Sequence, residues 1–157
     1  MDKHMITPCL WFDKEAEDAA KFYVSVFKNS KINNVSRYGK EGFEAHGQKE
    51  GTVMTVDFTL NGQPYLGLNG GPHFKFTEAV SFTIYCDTQE EIDHYWNKLT
   101  EGGQESQCGW LKDKFGLSWQ VVPTILPQLM KDPARSGRVM NAFLKMKKYD
   151  IETLKNA

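Results

Sequence analysis

Few side chains in this sequence stand where they could do chemistry. Asp57 lies between Val56 and Phe58 in an alternating run. A lone carboxylate is expensive to bury, so it must be solvated in a cavity or paired. In a cavity it would act as a base or orient a ligand. At a wet surface or a dimer edge it would be an ordinary strand acid. His73 follows Gly70-Gly71-Pro72. On a pocket rim it would be a general base; otherwise it is a turn histidine packed on Phe74 or bonded to backbone. His94 shares a polar helix side with Glu90, Glu91 and Lys98, and His4 and His46 fall in segments without regular pattern. Cys86 occupies a core position, and Cys108 precedes a glycine with no identifiable neighbouring base. No cysteine or histidine spacing suits zinc. Trp110 and Trp119 would be core residues, or platforms for a planar ligand.

These residues need strands to hold them. Met54, Val56, Phe58 and Leu60 alternate with Val53, Thr55, Asp57 and Thr59, the two-residue period of a half-buried strand. Asn61-Gly62 then marks a hairpin, because both central residues of a type I′ turn take positive φ. Gln63–Leu68 is the returning strand, and Gly70-Gly71-Pro72 ends it.

The chain contains two similar stretches. A strand at Ile6–Trp11 leads through Asp13, a plausible N-cap, into a helix reaching Phe27. A strand at Val80–Cys86 leads through Thr88, capping with Glu91, into a helix reaching Thr100. The helices carry aromatic pairs, Phe22-Tyr23 and Tyr95-Trp96. Strand candidates follow each helix, including Ile32–Tyr38 in the first stretch and a hairpin through Asp113–Gly116 in the second. Gly39–Gly51 reads as a mobile loop. Such self-similarity points to a duplicated unit. Thr124 and Ser136 open further helices, the latter with Val139, Met140, Phe143, Leu144 and Met146.

Composition narrows the classes. The chain has 157 residues, 40% hydrophobic, with net charge −1. That suffices for a core and leaves no basic face for nucleic acid. No apolar run is long enough to cross a membrane, and no signal peptide is visible. Three cysteines in a core-rich chain read as reduced thiols, which places the protein in the cytoplasm.

The strand–helix–three-strand unit, taken twice, resembles the module of the vicinal oxygen chelate superfamily, which includes glyoxalase I, bleomycin resistance proteins and extradiol dioxygenases. The motifs Phe22-Tyr23-Val24-Ser25-Val26-Phe27, Leu68-Asn69-Gly70-Gly71-Pro72-His73-Phe74, Cys86-Asp87-Thr88-Gln89-Glu90-Glu91 and Gly109-Trp110-Leu111-Lys112-Asp113 are similar to its PhnB-like branch, often labelled 3-demethylubiquinone 3-methyltransferase-like. The resemblance implies an α+β fold: two βαβββ modules with curved mixed sheets forming a cup, plus C-terminal helices. The expected boundaries are 1–76 for the first module with its linker, 77–123 for the second and 124–157 for the helical extension, as one compact domain overall.

The superfamily usually holds a divalent metal on four strands. Counting from the motifs places those seats at Cys9, Gly67, Ser81 and Val121. A thiol, a missing side chain, a hydroxyl and an aliphatic do not hold a hard cation, so the expectation is no metal and no cofactor. The methyltransferase label gains nothing from the sequence: no glycine-rich turn follows Ile6–Trp11 to cradle a nucleoside methyl donor.

With those seats facing inward, alternation turns Trp11, Asp57, Tyr65, Asn69, Thr83, Tyr85 and Trp119 into the cup, with Trp110 near its mouth. The lining is aromatic with a few polar groups, as ligand pockets are. The expected function is metal-independent binding of a small aromatic or polar metabolite or drug-like molecule by a cytoplasmic homodimer, as in resistance-type members that sequester. The alternative is a lyase, isomerase or dioxygenase-type enzyme using Asp57 or His73. Neither nucleic acid nor membrane is an expected partner.

Overall fold

The computed structural model describes residues 5–157. The chain is α+β and divides into two compact units, one ending at Lys75 and the other running Phe76–Ala157.

In the first unit, β1 (Cys9–Phe12), α1 (Ala16–Val26), β2 (Lys31–Arg37), α2 (Phe43–His46), β3 (Val53–Leu60) and β4 (Gln63–Asn69) follow in order. The sheet runs β1-β4-β3-β2, with β1 parallel to β4 and the other pairs antiparallel. Asn61 (φ 48°) and Gly62 (φ 81°) make the expected hairpin turn. Helix α1 buries Ala16, Ala19, Ala20, Tyr23 and Val26. Its alanines bring the backbone close to the sheet: a Cβ on Gly67 would lie 3.3 Å from that of Ala16.

Three local expectations are corrected here. The first strand starts at Cys9 rather than Ile6, which is exposed. Asp13 does not cap α1, since the residue before the helix is Glu15 and makes no side-chain cap. Instead Asn69 Oδ1, at the end of β4, accepts from Ala16 N at 2.9 Å. Gly39–Gly51 contains a helical turn, α2, between Gly42 (φ 80°) and Gly47 (φ 67°). His46 ties it together: its Nδ1 accepts from Gln48 N at 2.9 Å, and its ring lies 4.7 Å from that of Tyr38.

The second unit repeats the plan. It comprises β5 (Ser81–Cys86), α3 (Gln89–Thr100), β6 (Gln104–Glu105), β7 (Trp110–Lys112) and β8 (Ser118–Pro123), in a sheet ordered β5-β8-β7-β6. Again the first and last strands are parallel. Thr88 caps α3, accepting from Glu91 N at 3.2 Å, while the Glu91 carboxylate reaches back to Asp87 N. Ile92, Trp96 and Leu99 are its buried stripe.

Helices α4 (Ile125–Met130), α5 (Ser136–Phe143) and α6 (Ile151–Lys155) belong to this same unit. Gln89 fastens the tail to α3: its amide donates to Tyr149 O at 3.0 Å and accepts from Ile151 N at 2.9 Å. Helix α6 was not anticipated. Its signal was Asp150 three residues before Thr153, whose N–H it caps at 2.7 Å.

Candidate functional site

Each sheet has one face under its helix and one open face, and pairing decides which residues lie on which. In the first sheet Leu10 pairs with Gly67 and Phe12 with Asn69, while Cys9 pairs with Leu66 and Trp11 with Leu68. Gly67 faces Ala16, so Leu10, Phe12, Gly67 and Asn69 are on the helix side. Cys9, Trp11, Leu66 and Leu68 are on the open side, together with Thr55, Asp57 and Thr59 of β3. Asp57 is half-buried there, opposite Asn34 and Leu66.

Trp11 is anchored at one end of that face. Its Nε1 donates to Gly71 O at 2.9 Å, and Phe74 meets its ring edge-on at 4.9 Å. Gly70 is required beneath it, because a Cβ there would fall 2.2 Å from the indole. His73 is exposed on the following turn.

The second sheet presents a cavity on its open face. Ser118 of β8 pairs with Ser81 on one side and Lys112 on the other, and Lys112 pairs with Gln104. These residues therefore form one row across four strands. A cavity of about 350 Å³ opens along it, walled by Trp110 and Leu111, with Gln104, Glu105, Ser106 and Gln107 at one edge and Glu78 and Lys112 at another. Ser118 contributes to its floor. That residue is fully buried, and among the described residues its hydroxyl has no hydrogen-bond partner. Lys112 Nζ forms an ion pair with Glu78. The hydrogen bond from Lys112 holds the Glu78 carboxyl below the usual carboxylate range. Glu105 is committed elsewhere, accepting from Trp96 Nε1 at 3.0 Å.

Residues 4–122 match the family described as 3-demethylubiquinone-9 3-methyltransferase. A PhnB protein from Bacillus cereus shares 38% identity over 77% of this chain and 100% of its own, with a TM-score of 0.68. The chain belongs to this PhnB-like family of the vicinal oxygen chelate superfamily. Protein PA1353 from Pseudomonas aeruginosa (17% identity, 77% of this chain, 98% of its own, TM-score 0.61) shares the fold. So does the fosfomycin resistance protein FosX from Listeria monocytogenes (14%, 84% and 100%, TM-score 0.56). No curated protein matches.

For this PhnB-like chain the strand register revises several sequence-based placements. Ser81, Thr83 and Tyr85 share the open face with Ser118 and Gln120, not with Trp119 and Val121. Gln120 Nε2 donates to Ser81 Oγ at 3.0 Å, so the residue beside Ser81 is Gln120 rather than Val121. Val121 is fully buried, and Trp119 packs 5.7 Å from Phe82 with its Nε1 bonded to Asp113 Oδ2 at 2.8 Å. Neither lines an open face. In the first unit the partner of Cys9 is Leu66, not Gly67. Tyr65 and Asn69 share the helix side with Gly67: Tyr65 stacks on Phe58 at 5.5 Å, and burial raises its hydroxyl pKa.

Of the residues named from sequence, Trp110 alone borders the cavity; Thr83 and Tyr85 are exposed farther along β5. Ser118, Lys112, Gln104 and Glu78 were missed. The alternation Ser118, Gln120 opposite Trp119, Val121 was the available signal for the first of them.

Burial disfavours ionisation of two cysteines. Burial, then the nearby charges of Glu91 and Asp87, push the Cys86 thiol up to about 12. Burial also raises Cys9, although the residue itself is exposed. Burial, then the charge of Cys108, lifts Tyr149 to about 12. An unfolded chain ionises these groups near 9 and 10, whereas the native chain keeps them protonated. Stability is therefore fully present below about pH 9 and falls as pH rises towards about 12. The urea midpoint should be lower at pH 10.5 than at pH 8, with a shallower decline in Cys86→Ala. An unchanged midpoint would contradict this assignment.

Proposed function

We propose that this chain binds a small, aromatic or polar molecule in the cavity over Ser118, without a catalytic metal. The buried Ser118 hydroxyl supports this most directly. An unsatisfied polar group costs about 1–3 kcal/mol; the hydroxyl is sealed beneath the cavity, so a ligand that parts the floor to reach it would remove that penalty. The cavity volume, about 350 Å³, is at the small end of ligand pockets and suits a single-ring molecule stacked on Trp110.

The residues at the superfamily's metal seats do not fit a divalent ion. In the first sheet the expected seats are Cys9, whose thiol is driven towards its protonated form, and Gly67, with Leu66 the residue paired to Cys9. In the second they are Ser81 and Val121, and Ser81 is already bonded to Gln120. Hard cations require several anionic or carbonyl oxygens. Nor is a methyl donor's cradle formed after β1. That turn is Asp13-Lys14-Glu15, and the first amide of α1 is already taken by Asn69. Mixed strand order replaces the open parallel sheet such a donor favours.

A lyase, isomerase or dioxygenase reading has less support. Asp57 has no imidazole or second carboxylate among its cross-strand neighbours, Asn34 and Leu66, and His73 is on an exposed turn. A cytoplasmic homodimer completes the proposal. Exposed Val80, Tyr85, Met140 and Leu144 supply apolar surface for it, and no helix among the described residues is long and apolar enough to cross a membrane.

The test is a thermal-shift screen of aromatic and polar metabolites, run beside zinc, nickel, manganese and iron salts. Ligands should raise Tm and the ions should not. Ser118→Ala should stabilise the free protein by up to about 1 kcal/mol, since an orphaned hydroxyl disappears, and should weaken every ligand that raised Tm. Strong stabilisation by a divalent ion, or hits indifferent to Ser118→Ala, would refute the proposal.

A further inference from the structure

Among the described residues bordering the cavity, Lys112 is the one cation, and its partner comes from outside the sheet. Glu78 belongs to the segment before β5, and its side chain is 59% exposed against 36% for Lys112. Lys112 is fixed by pairing on both sides, to Gln104 and to Ser118. Glu78 is thus the movable member of the pair. Its carboxylate occupies the position where an incoming anion would meet the ammonium group. The other acid at the edge, Glu105, is held by Trp96 and does not compete. Gln104 and Gln107, whose side-chain amides can donate to an anion, border the same cavity.

We propose that the cavity selects molecules carrying a planar apolar group and a carboxylate, and that Glu78 is a built-in competitor which the ligand carboxylate displaces from Lys112. This rests on the small-molecule reading above and adds the ligand's charge. Exchange of one carboxylate for another keeps Lys112 neutralised, so the anion enters without leaving a half-buried ammonium unpaired. A neutral ligand would leave the Glu78–Lys112 pair in place, and a cationic one would have to draw Glu78 away from Lys112 without replacing it. Glu78 is ionised at neutral pH, as a competitor must be.

Benzoate and its neutral isostere benzamide separate the possibilities. Each is titrated into wild type, Glu78→Gln and Lys112→Gln while amide resonances are followed by NMR, which also reports that each variant is folded. Benzoate should shift the amides of Trp110, Lys112 and Ser118. Its Kd should fall about 2- to 5-fold in Glu78→Gln, the range by which an exposed ion pair holds together, and should rise in Lys112→Gln. Benzamide should bind all three proteins alike and more weakly than benzoate binds wild type. If benzamide matches benzoate at those amides, the cavity still binds small molecules but the anion selection is wrong. Benzoate affinity unchanged in Glu78→Gln overturns the displacement. If neither compound moves those amides, this proposal and the cavity reading fall together.

Discussion

Asp113→Ala is expected to destabilise the protein by about 3–5 kcal/mol, the largest loss from any single side chain discussed. Asp113 is 3% exposed. Its Oδ1 accepts from Phe115 N at 2.8 Å and Leu117 N at 3.1 Å, and its Oδ2 accepts from Trp119 Nε1 at 2.8 Å. One carboxylate thus shapes the β7–β8 turn and fixes the Trp119 indole under the second sheet. Alanine removes the Asp113 acceptor from three donors, two of them on buried residues, at about 1–3 kcal/mol each before water or relaxation recovers part. An asparagine would not restore the set. With Oδ1 serving the two amides, its NH₂ would face the indole N–H, donor against donor, so Asp113→Asn should fall between wild type and Asp113→Ala. Urea unfolding followed by tryptophan fluorescence measures both variants. A loss below about 1 kcal/mol for alanine would mean that the carboxylate is not what orders this turn.

The same residue shows how far the sequence could be read. Asp113–Gly116 was recognisable as a turn from its residue types. That the acid would reach Trp119 was not, because the indole's face depends on strand pairing. Alternation along β3 sorted Val56 and Phe58 from Thr55 and Asp57 without help from any neighbour, and the Asn61-Gly62 turn fixed the β3–β4 register. For β8 the alternation was equally clear, but alternation alone does not say which set faces the helix. Placing Val121 on the face of Ser81, which Ser118 and Gln120 occupy, exchanged the two faces, as any one-residue slip does. Gly67 in place of Leu66 was the same error in β4. The cavity was hidden for a related reason: Gln104, Lys112 and Ser118 are scattered in sequence, only the row across β6, β7 and β8 assembles them, and Glu78 joins through its ion pair with Lys112.

Asn69 is the other residue whose role changed most, and its replacement carries the second large effect. Asn69→Ala should cost about 2–4 kcal/mol. The side chain is 5% exposed and bonded at both ends: Oδ1 accepts from Ala16 N at 2.9 Å, and Nδ2 donates to Val53 O at 3.1 Å. It therefore does for α1 what a capping residue normally does locally, with the extra consequence that the helix start is tied to β3 and β4. Loss of a cap costs about 0.5–2 kcal/mol, and the bond to Val53 adds about 1 kcal/mol or more if the carbonyl stays dry. A residue of the ligand site would behave differently: ligand affinity would drop while the unfolding midpoint held. Here the midpoint should drop, amide exchange should accelerate at Ala19 and Ala20, whose N–H groups lie in the first turns of α1, and any ligand of the second-unit cavity should bind the folded variant as it binds wild type. Slow exchange in α1 together with weakened binding would return Asn69 to the ligand site and would mean that the helix start is held by something other than this amide.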